Sequence, residues 1–94
     1  IRYLSGRRFE YEVMKYYEAL GYKCIRASGS HGEADVIAYK PITRPLFLQC
    51  KVISDQSSVK GLIAKFNPAS SKYYDQILAI RVKGDRGWRK AKEI

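Results

Sequence analysis

Histidine is almost missing from this chain: His31 stands alone, and the two cysteines, Cys24 and Cys50, are not spaced as a CxxC pair. That excludes a zinc site built from the chain's own imidazoles and thiolates, which needs several such ligands at short spacings. Both cysteines lie in apolar runs and read as small buried hydrophobes; a disulfide between them requires their strands to be neighbours. No apolar run approaches the roughly 20 residues of a membrane-spanning helix. The first nine residues carry Arg2, Arg7 and Arg8 where a secretory leader would be apolar. The expectation is therefore an intracellular protein. Acid is scarce as well: nine Asp and Glu stand against eighteen Lys and Arg, for a net charge of +9. Such an imbalance favours a polyanionic partner, nucleic acid above all. The charge is dispersed rather than gathered on a basic amphipathic helix, which argues against a membrane surface.

What remains is an ordinary globular composition, 46% apolar over 94 residues. That length holds one domain, 1–94, with a modest core. Ser5 can cap a helix whose apolar positions are Phe9, Val13, Tyr16, Tyr17 and Leu20, with Gly21 placed to stop it. Residues 22–27 read as a short strand, 28–32 as a loop, 33–39 as a second strand and 41–45 as a turn. Residues 46–53 form a third strand. A short helix over 59–66 follows, broken at Asn67-Pro68, and a turn of helix restarts over 69–75. Strands over 76–83 and 88–94 complete the chain. The expected order is αβββαββ, an α/β fold with a mixed sheet flanked by helices. A helix between the third and fourth strands implies a parallel crossover, and the short turns before it imply antiparallel pairs.

Two neighbouring strands carry charge where apolar residues dominate. Side chains two apart share a strand face. Glu33, Asp35 and Ile37 thus fall on one face of the second strand, and Gln49, Lys51 and Ile53 on one face of the third. The plain reading is a structural ion pair or a solvated face, since charges are rarely buried unpartnered. The chemical reading is phosphodiester hydrolysis. A hard cation neutralises the phosphate and lowers the pKa of an attacking water. Magnesium takes oxygen ligands, often one or two carboxylates plus waters. Asp35 and Gln49 offer such oxygens, and Lys51 can orient the water or stabilise the transition state.

The ordered set Gly6-xxx-Glu10, Gly21-Tyr22, Arg26, Ser28-Gly29-Ser30, Asp35-Val36-Ile37-Ala38 and Gln49-Cys50-Lys51 resembles the archaeal Holliday junction resolvases of the PD-(D/E)XK nuclease superfamily. The resemblance covers roughly residues 5–53. It implies a restriction-endonuclease-like core and a Mg2+-dependent DNA endonuclease, with Mn2+ as a substitute metal, that resolves four-way junctions by paired nicks. It implies that Glu10 and Asp35 bind or position metal, that Lys51 is the catalytic lysine, and that Ser30 or Ser28 sits near the scissile phosphate. It further implies a homodimer working on DNA in the cytoplasm, and an archaeal or archaeal-virus source. Where the family has Glu this chain has Gln49, which keeps one oxygen but loses one negative charge. Glu33 can compensate as a further metal ligand, or be a solvated charge at the loop edge. His31 is a general base, a phosphate contact or a loop residue without a role.

Among the cations, Arg7, Arg8 and Arg26 are the expected DNA contacts, and most of the others read as solvated surface. Phe66, Tyr73, Tyr74 and Trp88 are the expected apolar patch for a twofold dimer. Two other functions stay open: a nuclease of the same fold acting on flap, nicked or single-stranded DNA, and a non-catalytic nucleic-acid-binding module.

Overall fold

The computed structural model describes residues 2–27, 34–66 and 73–90, with side chains from residue 6 onward. Its elements are α1 (Arg2–Ala19), β1 (Lys23–Arg26), β2 (Val36–Tyr39), β3 (Leu46–Ile53), α2 (Ser58–Lys65), β4 (Asp75–Val82) and β5 (Arg89–Lys90). The expected αβββαββ order holds. So does the mixed sheet: its five strands run in the order β1-β2-β3-β4-β5, β3 and β4 are parallel, and the other pairs are antiparallel.

The helix α1 ends as the glycine signal dictates. Gly21 sits at φ 95, a left-handed backbone that costs glycine nothing. Gly21 N–H donates to the Glu18 carbonyl and Tyr22 N–H to the Tyr17 carbonyl, each at 3.0 Å, which closes the last turn as a Schellman motif. The helix start differs from expectation: α1 already runs at Arg2, so Ser5 lies within it and is no N-cap.

Alternation along β3 divides the molecule into two cores. Leu46, Leu48, Cys50 and Val52 join Val36, Ala38 and Ala79 beneath Phe9, Val13 and Tyr17 of α1. Ile53 joins Leu78, Ile80 and Val82 against Val59, Leu62 and Ile63 of α2. The parallel β3–β4 register, from Leu46↔Asp75 to Ile53↔Val82, places both cores on one continuous frame.

One open alternative closes here, and two expectations fail. Cys24 and Cys50 are free thiols, and β2 separates their strands, so a disulfide is excluded on topology. The aromatic patch is broken up. Trp88 packs edge-on to Phe9 and Tyr16 and tilted against Tyr17 in the α1 core, Phe66 packs in the α2 core on the other face, and Tyr74 stacks on Phe47 at 3.9 Å. Tyr73 alone of the four is largely exposed, at 77%. Finally, β2 begins at Val36 rather than at residue 33. The restarted helix over 69–75 lies mostly outside the described residues, and its last residue, Asp75, opens β4.

Candidate active site

Asp35 occupies the bend just before β2. Its backbone N–H donates to the Leu48 carbonyl at 2.8 Å, and its Oδ2 accepts the Cys50 N–H at 2.9 Å. These two bonds bracket Gln49, so the carboxylate is pinned to the seam between β2 and β3 beside that residue. The same bonds explain the shortened strand: a side chain that takes a β3 amide displaces the ladder bond an extended backbone would make. Strand alternation therefore does not reach Asp35, so Asp35 and Ile37 do not share a strand face, and Glu33 lies outside the described residues.

Gln49 is half-buried and Lys51 exposed. Neither side chain has a hydrogen-bond or ion-pair partner among the described residues. Alternation along β3 carries both to the face that holds Ile53 and α2. The other oxygen of Asp35, Oδ1, likewise accepts no bond among the described residues.

Glu10 approaches from the opposite side. It projects from α1 and accepts a hydrogen bond from Arg26 Nε at 2.9 Å, with both side chains mostly covered. This bond raises the Arg26 pKa further, as does the Glu10 charge itself, and the guanidinium stays charged at any working pH. Arg26 also stands 5.6 Å above the Tyr11 ring. One of the expected DNA contacts is thus already engaged within the molecule.

The Cys50 thiol shows how close these charges lie. Burial pushes its pKa up most, the carboxylates of Asp35 and Glu10 push it further, and Lys51 pulls it back. Glu10, Asp35 and Lys51 thus all act on one point of β3. Among the described residues, no three His, Cys, Asp or Glu side chains gather closely enough to cage a metal ion by themselves. The donors present are the Asp35 Oδ1 and the Gln49 amide oxygen, which suit a hard cation that keeps most of its waters.

Of the other expected site residues, Ser28, Ser30, Glu33 and His31 lie outside the described residues. Arg7 is half-buried and Arg8 exposed on α1. The Cys50 backbone amide is the part of the site that sequence reasoning missed. The residue between Gln49 and Lys51 faces the core, and only its N–H reaches the acid.

A helix, a three-strand antiparallel meander carrying Asp35 and then Gln49-Cys50-Lys51, and a parallel crossover make up this frame. The restriction endonuclease family model Mrr_cat matches the chain over residues 1–84. Comparison with curated proteins and with solved structures finds no match. With its model matched across nearly the whole described fold, the chain belongs to the Mrr_cat restriction endonuclease family, whose domains are nucleases acting on DNA.

Proposed function

We propose that this domain is a Mg2+-dependent DNA endonuclease whose catalytic centre is Asp35, Gln49 and Lys51, and that its substrate is branched DNA, four-way junctions first. The observation that carries the reading is the Asp35 carboxylate, fixed against the Cys50 N–H with its second oxygen unpartnered. A carboxylate held by a backbone amide is a preorganised ligand rather than a wandering surface acid.

Asp35 Oδ1 and the Gln49 amide oxygen would hold the divalent cation, with Glu33 as a further ligand. When bound, the cation neutralises phosphate charge and lowers the pKa of a water. Lys51 holds its ammonium two residues from Gln49 on the same strand face. There it stabilises negative charge as the phosphodiester becomes pentavalent, and it orients the water. Glu10, held by Arg26, would help position the cation from α1. Ser30, or Ser28, would contact the scissile phosphate, and Arg7 and Arg8 would hold the backbone. Gln49 supplies an oxygen without a charge, so the cation is held more weakly than by two carboxylates. The junction preference rests on the likeness of residues 5–53 to the junction resolvases, and so does a homodimer that presents two such centres to one junction.

The test is a cleavage panel: labelled four-way junction, nicked duplex, linear duplex and single strand, each with Mg2+, Mn2+ or EDTA. Paired symmetric cuts in the junction, with metal only, are expected. Cutting confined to the other substrates overturns the junction assignment, and binding without cutting in any metal overturns the enzyme.

A further inference from the structure

A second feature lies on the α1 side of the sheet, away from the face of Gln49 and Lys51. Between the N-terminal half of α1 and the turn after β4 there is an open cleft of about 200 Å³, reached by Arg8 and Glu12 from the helix and by Arg81 and Lys83 from β4 and its turn. Phe9 and Val52 form its apolar part.

The cleft's charges do not cancel. Its two acids are already engaged: Glu12 pairs with Arg81 and Asp85 pairs with Arg89 at 3.2 Å. Arg8 and Lys83, both exposed, have no ion-pair partner among the described residues. Arg81 is built in rather than solvated. Its guanidinium lies 5.4 Å above the Phe9 ring, its side chain is only 22% exposed, and its Nε is buried with no hydrogen-bond partner among the described residues. A cleft lined by two unpaired cations, with the Arg81 guanidinium fixed beside them, asks for an oxyanion. Val52 lies two residues beyond Cys50 on the same strand face, roughly 7 Å along the chain, which puts the cleft next to the Glu10 and Asp35 neighbourhood.

We propose that this cleft is a seat for a phosphate-type oxyanion, filled in the DNA complex by a backbone phosphodiester that flanks the one being cut. Arg8 and Lys83 supply the free charge, and Arg81, propped on Phe9 and held by Glu12, fixes a third cation beside them. The DNA part of the proposal rests on the nuclease reading; the oxyanion seat does not. Such a contact gives register without reading bases, which suits an enzyme that selects DNA by shape.

Two measurements test it on the intact domain. In the first, four-way junction binding is followed against salt in EDTA, where no cutting occurs. The Arg8→Ala/Lys83→Ala double variant should flatten the log–log salt slope by about 0.9, the amount expected for one lost phosphate contact. A control pair, Lys15→Ala/Lys23→Ala, removes two exposed cations toward the other end of α1 and should leave the slope unchanged. Equal flattening by both pairs, or by neither, overturns the phosphodiester seat. In the second, inorganic phosphate is titrated while the arginine Nε–H signals are followed by NMR. The Arg81 signal should shift saturably in wild type and not in the double variant. No shift, or the same shift in both proteins, overturns the oxyanion seat. If wild type binds no DNA but the Arg81 signal still shifts, the nuclease reading falls and the seat stands.

Discussion

The two faces of the sheet are used differently. The α1 face is a closed core: Phe9, Val13 and Tyr17 cover Val36, Ala38, Leu46, Leu48 and Ala79, all buried, with Trp88 and Tyr16 sealing the rim. The other face is only half covered. The helix α2 is short and packs over β4 and the end of β3 through Val59. On the outer strands, Ile25 is 50% exposed and Tyr39 42%. Gln49 and Lys51 project to that open face. The molecule thus concentrates burial under α1 and leaves the face of Gln49 and Lys51 half covered. Loss of packing on one face should cost folding, and loss of polar groups on the other should cost chemistry alone.

Truncation in the closed core should have the largest effect. Phe9→Ala removes a ring that is 1% exposed and that also carries the Trp88 and Arg81 contacts. It should lower stability by about 3–5 kcal/mol in urea unfolding. On the half-covered face Val59→Ala should cost less, about 1–3 kcal/mol, because Val59 is that helix's one buried side chain. A Val59→Ala loss equal to that of Phe9→Ala would erase the contrast between the faces. Smallest in stability is Gln49→Glu, expected within about 0.5 kcal/mol of wild type. It restores a negative charge beside Asp35 and should raise cutting at low Mg2+ in a metal titration. A complete loss of cutting would show that Gln49 does something other than offer an oxygen.

Residues whose local signal agrees with the tertiary context were legible in the sequence. The bounds of β3 follow from an apolar run ended by a polar stretch, and the end of α1 follows from Gly21. The nuclease class was legible, though not the particular family, because the Gln49-Cys50-Lys51 set puts polar groups inside a strand that otherwise buries and Asp35 stands just before its neighbour. Long-range pairing was not legible. Arg26 meets Glu10 and Arg81 meets Glu12 only because α1 crosses the sheet where it does, and no spacing along the chain encodes that crossing. The shortened β2 was equally hidden, since it follows from the Asp35 side chain taking the Cys50 amide. The tyrosines misled for the opposite reason: composition counts aromatic residues but does not say which face of the sheet each one joins.

Everything functional converges on one carboxylate, and Asp35→Ala with paired binding and cleavage assays tests it most directly. The account predicts that the variant still binds four-way junction DNA within about threefold of wild type, because phosphate contacts dominate affinity, while metal-dependent cutting is abolished. Normal cutting by a folded Asp35→Ala protein would contradict it.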